Sequence, residues 1–369
     1  MNALINQYNF TNRDTTSTNG VTRPLSLNDY IGQDLIKDQA RLKINLARKN
    51  KIAMGHTLLL GFAGAGKTTL AKIIASEIGS NFHECMAANI KSPEDLFDLI
   101  DRNVKLNTVL FIDEIHALKK DVQEALYTIM EDFKYFRKGP NGTTDVKYLY
   151  TFTVIGATTH AGNLNQPFLE RFGWKPTLQP YSLDEMTLLI AKACRSRFNM
   201  EIPTDVAQSL AKISQNTPRK AMHLLQNLYD QADGSIFDSR RVSSDDLNLV
   251  NLEKTIKSLE LDPIIGLDRS SRHYLNVLYG EKGKPIGARS LAAMINQQEV
   301  NLINMIEPFL TQPEIEIPSL VSDETIIGPL VKVTRGGRVL TESATAYLKI
   351  CKNLQKNHGW FPSERFNVD

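Results

Sequence analysis

The sequence predicts an α/β domain built on a parallel sheet, followed by a small helical lid domain and a C-terminal winged-helix domain. Three observations carry this. Between His56 and Pro180, short and nearly continuous apolar runs alternate with helical patterns, as strands buried on both faces do. Beyond Pro180 the strand signals stop, and apolar residues recur at three- and four-residue spacing. Near the C-terminus, helical patterns give way to two β-like runs tipped by Gly336 and Gly337.

The opening INQYNFTNRDTTSTNG lacks periodic apolar positions and reads as a flexible tail over 1–20. In the domain expected over 21–180, HTLLLGF, TVLFIDE and TFTVIGATT read as strands, with KTTLAKIIASEIG and KDVQEALYTIMED as helices. Over 181–250, SLDEMTLLIAKACRSRF, TDVAQSLAKIS and PRKAMHLLQNLYDQAD carry helical spacing behind Ser or Thr caps. Over 251–350, ARSLAAMINQQ and VNLINMIEPFL precede LVKVTRGGRVLT, a combination that suggests a winged helix-turn-helix, a common DNA-binding shape. Residues 351–369 read as a C-terminal tail.

With 42% hydrophobic and 23% charged residues, the 369-residue chain is globular rather than disordered or fibrous. No apolar run approaches the ~20 residues that span a bilayer, and Met1–Gly20 has neither a basic start nor an apolar centre, so a cytoplasmic protein without a membrane partner is expected. Cys85, Cys194 and Cys351 are too few and too scattered for a disulfide framework or a zinc site. A formal charge of +2 neither demands nor excludes nucleic acid, because local clustering decides that.

Chemistry first surfaces in GFAGAGKTT. Gly61-x-x-x-x-Gly66-Lys67-Thr68, with an apolar strand entering and a helix leaving, fits a phosphate-binding loop. Gly61, Gly64 and Gly66 let backbone amides approach phosphates, and Thr69 continues the helix N-terminus that favours negative charge. Lys67 suits the outer phosphates of ATP and the Thr68 hydroxyl suits Mg2+. In VLFIDEIH, Asp113 and Glu114 fall at the carboxyl end of a buried strand, where open α/β sheets bind ligands. Asp113 suits the magnesium shell and Glu114 a base for the attacking water, whereas His116 reads as structural. Thr158 and Thr159 end another strand, and Arg171 and Arg219 are arginines of the kind that stabilise a transferred γ-phosphoryl.

In this order Lys67, Asp113-Glu114, Thr158-Thr159, Arg171 and Arg219 resemble the AAA+ ATPases. More closely, RPLSLNDYIGQ, LFIDEIHAL, YTIMEDF, FTVIGATTHAG, ERFG, TPR, PIGARSLAAMI, IEPFL and TRGGRVLT are similar to stretches of the RuvB family of Holliday-junction branch-migration motors, over about Arg23 to Leu348. The resemblance implies a ring-forming, usually hexameric ATPase that moves double-stranded DNA. It further implies adenine contacts from Arg23, Tyr30 and Ile31, an Arg171 finger on the neighbouring subunit's ATP, and Arg219 as a sensor on its own subunit. It directs DNA to the wing, where Arg335 and Arg338 flank Gly336-Gly337, a basic tip suited to phosphates rather than bases.

Departures from the family pattern are informative. The phosphate loop reads FAGAG where a Pro-Pro-Gly-Leu-Gly type is usual, Leu169 replaces an arginine two positions before the finger, and Asn216 replaces a glycine before TPR. The family's RuvA-binding hairpin is here KYFRKGPNGTTDVKYLYTF, shorter and tipped by Lys138, Pro140, Asn141 and Gly142. A polar tip buries little apolar area, which argues against docking to a conventional RuvA. Phe133, Tyr135, Phe136, Tyr148 and Tyr150 remain for a different partner or for packing across the hairpin. The insertion 311–329 has no assigned role, and the altered hairpin and N-terminal tail suit a mobile element such as a phage. A clamp loader or helicase loader is the nearest alternative, and an ATP-holding DNA-binding regulator that does not translocate is an alternative of another class.

Overall fold

The computed structural model describes residues 24, 26–138, 143–234, 241–318, 325–366 and 368. The expected tail 1–20, Arg23 and the hairpin-tip residues Pro140, Asn141 and Gly142 lie outside them. The chain divides into two compact units, one of residues 1–185 with Thr217–Arg219, the other of Met186–Asn216 with Lys220–Asp369.

The first unit is built on four parallel strands in the order β1 (Thr57–Leu60), β6 (Thr153–Thr158), β3 (Thr108–Asp113) and β2 (Asn81–Met86). The three inner runs of the sequence are strands as expected, and β6 is buried at every position. β2 carries no such signal, because its NFHECM residues are an irregular mixture of half-buried and exposed positions at the sheet margin. On the far side of β1, the segment 174–178 adds a further parallel pairing through Leu58 N–H to Trp174 O, Leu60 N–H to Pro176 O and Leu178 N–H to Leu60 O. Helices cover both faces: α1 (Asp34–Asn50) and α2 (Lys67–Ile78) bury Ile36, Ala40, Ile44, Leu70 and Ile74 in one apolar layer. α3 (Pro93–Asn103) and α4 (Lys120–Asp132) bury Leu96, Ile100, Leu126 and Ile129 in the other. α3 starts sharply because Ser92 and Asp95 form a reciprocal capping box ahead of Pro93.

A hairpin, β4 (Lys134–Lys138) with β5 (Thr144–Tyr148), follows α4, and its two faces differ in kind. One face is fastened to α3: Tyr135 stacks on Phe97 at 4.3 Å and donates to Asp101, and Lys147 and Arg137 pair with Asp101 and Asp98. Tyr135 is therefore core rather than partner surface, and Phe133, half-buried, packs edge-on against Phe152 and beside His56, which corrects two of the five expected hairpin contacts. The opposite face exposes Phe136, Val146 and Tyr148, with Tyr150 just beyond.

Three helices follow α5, the short Gln166–Glu170 turn of the first unit: α6 (Leu183–Phe198), α7 (Thr204–Ile213) and α8 (Pro218–Gly234), which belong to the second unit except for the first residues of α6 and α8. α9 (Leu249–Ser258), α10 (Arg269–Gly280), α11 (Ala288–Met294) and a helical stretch over 299–310, with a π-helical turn at Leu302–Ile306, lead to the β9 (Val331–Thr334) and β10 (Gly337–Leu340) wing. The insertion is a small antiparallel ribbon, β7 (Glu316–Pro318) with β8 (Thr325–Ile327), anchored by the buried Ile315 and Ile317.

The expected C-terminal tail is instead part of this unit. The last helix, Glu342–His358, runs straight through residue 350, and Trp360, Phe361, Phe366 and Val368 are buried after it. The segment is pinned by Arg272, wholly buried, whose Nε donates to Glu364 at 3.0 Å while its guanidinium stacks on Phe361 and donates to the Glu260 and Leu267 carbonyls. Removing one partner of a buried ion pair leaves an uncompensated charge. Glu364→Ala is therefore expected to lower unfolding stability by about 3 kcal/mol, read as a shifted denaturant midpoint; an unchanged midpoint would show the segment to be dispensable.

Candidate nucleotide site and nucleic-acid interface

The phosphate loop adopts the backbone its glycines were read to permit. Gly61, Gly64 and Gly66 have φ of 145°, 81° and 99°, a region L side chains rarely occupy. At Gly66 there is also no room, since a Cβ would stand 2.6 Å from the Tyr30 hydroxyl. α2 starts immediately after, with no side-chain cap and no acidic residue in its first turn, so its amides and dipole are available to an anion. Thr68 and Thr69 are half-buried in that turn. Lys67 is almost fully buried and donates to the Gly61 and Phe62 carbonyls at 2.7 and 2.9 Å. Burial lowers its pKa, countered by the Glu114 and Asp113 carboxylates and reinforced by Arg219.

Asp113 closes β3, and Glu114 follows in a left-handed conformation, φ 49°, with its N–H donating to Asp113 Oδ1 at 2.9 Å. A non-glycine residue in that region carries strain of order 1–3 kcal/mol, here at the residue that turns the chain out of the sheet. Thr158 ends the adjacent strand β6 and Thr159 follows it; Thr158 is buried, and Thr159 Oγ1 lies 3.5 Å from Glu114 Oε2. His116, read from sequence as structural, sits between them with Nδ1 3.1 Å from Glu114 Oε2 and 2.9 Å from Thr158 Oγ1. Burial lowers its pKa first, with Glu114 opposing.

The other expected residues are placed less uniformly. Tyr30 and Ile31 are buried, and Tyr30 lies against the loop with its hydroxyl 3.3 Å from that of Tyr181. Arg219 follows Thr217 next to Gly64, where a Cβ would meet Arg219 Cβ at 3.1 Å. Asn216 takes the left-handed conformation, φ 53°, that its substitution for glycine requires. Arg171 is held against α4: it stacks on Tyr127 at 4.4 Å, donates to the Tyr127 hydroxyl and pairs with Glu131 at 2.8 Å, while its buried Nε has no hydrogen-bond partner among the described residues.

The wing separates its two arginines. Arg335 is exposed at the turn, with Lys332 exposed on β9. Arg338 points inward instead, donating from Nε and Nη2 to the buried Glu307 at 2.7 and 3.1 Å, and Tyr274 donates to the same carboxylate. This corrects the expectation that Arg338 is a phosphate contact: its charge is already matched. Gly337 is required for another reason, since a Cβ there would stand 2.3 Å from the Ile286 carbonyl, where Ile286 and Arg338 exchange two backbone hydrogen bonds. That bridge brings EKGKP beside the wing tip, with Pro285 packed against Gly336 and Lys282 and Lys284 exposed. The sequence contained this basic run, but nothing local linked it to a hairpin fifty residues away. Arg338→Ala is expected to destabilise the second unit by about 3 kcal/mol, because Glu307 loses its counter-ion, whereas Arg335→Ala leaves the unfolding midpoint unchanged; equal midpoints for both would refute the distinction.

Comparison with known proteins agrees with this geometry. The model of the Holliday junction DNA helicase RuvB P-loop domain matches residues 22–178, and that of the RuvB C-terminal winged helix domain matches 265–315. Two relatives from Helicobacter pylori, strains Shi470 and G27, each called Holliday junction branch migration complex subunit RuvB, are 34% identical over 340 residues, covering 91% of this chain and 93% of theirs. Among solved structures, the Thermotoga maritima RuvB Holliday junction branch migration motor matches with a TM-score of 0.72 at 32% identity, over 89% of this chain and 98% of that one. With a phosphate loop, a strand-end carboxylate pair and a winged helix in the order these proteins share, the chain belongs to the RuvB family.

Proposed function

We propose that the chain is an ATP-driven motor that assembles as a ring, hexameric by family likeness, translocates double-stranded DNA and promotes branch migration of Holliday junctions. The observation that carries this is the meeting of Lys67, Asp113, Glu114 and the β6 threonines in one compact unit of a RuvB-family chain. A regulator that merely holds nucleotide has no need of a strained glutamate beside the phosphate loop.

In this reading the loop amides and Lys67 take the phosphates of ATP, and Lys67 exchanges its two carbonyl acceptors for phosphate oxygens. Thr68 and Asp113 offer a hydroxyl and a carboxylate, hard oxygen donors that fit Mg2+; two protein ligands suffice for an ion that keeps water and phosphate oxygens. The bound ion supplies charge neutralisation at the phosphates. Glu114 accepts a proton from the attacking water, and Thr159 helps fix its carboxylate. Tyr30 lies against the loop at Gly66, family likeness gives the adenine to Tyr30, Ile31 and Arg23, and Arg219 approaches on the side of Gly64. Arg171 serves a neighbouring copy, a role supported by its Nε, unpartnered among the described residues, and by its place at the end of α5.

Arg335, Lys332, Lys282 and Lys284 make a basic surface suited to phosphates and therefore to DNA of any sequence. The relatives are named as subunits of a branch migration complex. The exposed Phe136, Val146, Tyr148 and Tyr150 offer a protein partner its apolar contact, although the polar hairpin tip speaks against a conventional RuvA.

A synthetic four-way junction with homologous arms tests the proposal. Full-length protein with ATP and Mg2+ is expected to convert it to duplex products, Lys67→Ala to abolish conversion, and Arg335→Ala to weaken binding and reduce its salt dependence by about one phosphate contact. ATP hydrolysis without any junction conversion, with or without a RuvA-type partner, would favour a loader instead.

A further inference from the structure

One imidazole beside the nucleotide site has no part in the roles above. His116 lies on the turn Ile115–Ala117 that leaves β3, and the turn is locked from below: Ile115 is buried against Gly156 of β6, where a Cβ would come within 2.8 Å of Ile115 Cδ1. So held, the ring is mostly buried and faces the ends of two strands at once. Its Nδ1 is 3.1 Å from Glu114 Oε2 on the β3 side and 2.9 Å from Thr158 Oγ1 on the β6 side. Thr158 Oγ1 also accepts the His160 N–H at 2.9 Å, and the His160 ring meets His116 edge-on at 5.1 Å. A histidine that merely fills space would need none of these polar contacts.

We propose that His116 is a positioning residue that couples the base Glu114 to the end of β6, its Nδ1 holding one carboxylate oxygen while remaining in reach of the Thr158 hydroxyl. The inference rests on the reading of Glu114 as the base. Its logic is that a neutral imidazole carries one N–H, and a ring nitrogen either donates or accepts. With the proton on Nδ1, His116 donates to Glu114 Oε2, anchoring that oxygen and leaving Oε1 to take the proton of the attacking water. With the proton on Nε2, Nδ1 accepts from the Thr158 hydroxyl and Glu114 Oε2 keeps only the longer, 3.5 Å contact from Thr159. The two arrangements exclude each other, so a change in the hydroxyl's partner at the end of β6 is felt at the base through a single side chain.

The test is steady-state ATP turnover by the full-length protein on duplex DNA, with binding of a fluorescent ATP analogue and thermal unfolding measured in parallel. His116→Ala and His116→Gln are expected to lower kcat about 10- to 100-fold, the range over which misplacing a reacting group acts, with analogue affinity unchanged. His116→Asn, whose amide nitrogen reaches the place of Nδ1, restores most of the rate, whereas the Gln amide reaches the place of Nε2 and does not. Adding Thr158→Val to His116→Ala costs less than the two single losses combined, as expected for residues acting through one contact. Turnover by His116→Ala at the wild-type rate would overturn the inference. So would equal failure of the Asn and Gln variants with analogue affinity and unfolding temperature falling together, the mark of a purely structural histidine. Wild-type protein that hydrolyses no ATP would instead sink the assignment of Glu114, a distinguishable result.

Discussion

The hydrogen-bonded register between β3 and β6 is the constraint on which the first unit's chemistry depends. Val109 to Ile112 pair with Thr153 to Gly156, so both strands end at one level and deliver Asp113, Glu114, Thr158 and Thr159 to one edge. β1 pairs with β6 from Thr57 to Leu60 and sets the phosphate loop at that same edge. Because β3 and β6 are buried on both faces, sliding either would expose apolar residues and displace the carboxylates together. The strained Glu114 and the tight contact of Gly66 with Tyr30 are tolerated because this packed frame over-determines them.

The second unit solves a different problem, that of burying charge in a small helical domain. Arg338 with Glu307 and Tyr274, and Arg272 with Glu364, tie the wing and the C-terminal segment to the helices, and in both the carboxylate and guanidinium satisfy each other with few donors left over. Asp262 is treated likewise: fully buried, it accepts from the Ile264 and Ile265 amides and the Tyr347 hydroxyl. Such networks are costly when half broken, so they fix one arrangement of wing and helices. The exposed basic groups, Arg335, Lys332, Lys282 and Lys284, are left outside the networks on this firm support.

What was legible in the sequence is what depends on neighbours in the chain. The phosphate loop, the Asp113-Glu114 pair and the alternation of apolar strands with helices are local patterns, and all fall where they were expected. What was hidden depends on partners far along the chain. Nothing near Arg338 points to Glu307, which follows a π-helical turn 31 residues earlier, so a wing arginine looked like a DNA contact. Tyr135 alternates with exposed Phe136 on a strand whose buried face could be assigned only once α3 was seen beneath it. The edge strand β2 is too evenly mixed to declare itself. The aromatic residues Trp360, Phe361 and Phe366, which pack on one another, are the local signal that the last residues fold back rather than trail.

That the strand-end carboxylates are the hydrolytic machinery is tested most directly by Glu114→Gln, which keeps the size of the side chain and removes its basicity. Nucleotide binding and DNA-stimulated phosphate release would be measured on the same preparation. Undiminished ATP binding with release slowed about 10²- to 10⁴-fold, the usual contribution of a general base, is the predicted result. Phosphate release at the wild-type rate would contradict the assignment and with it the role given to the β3–β6 edge.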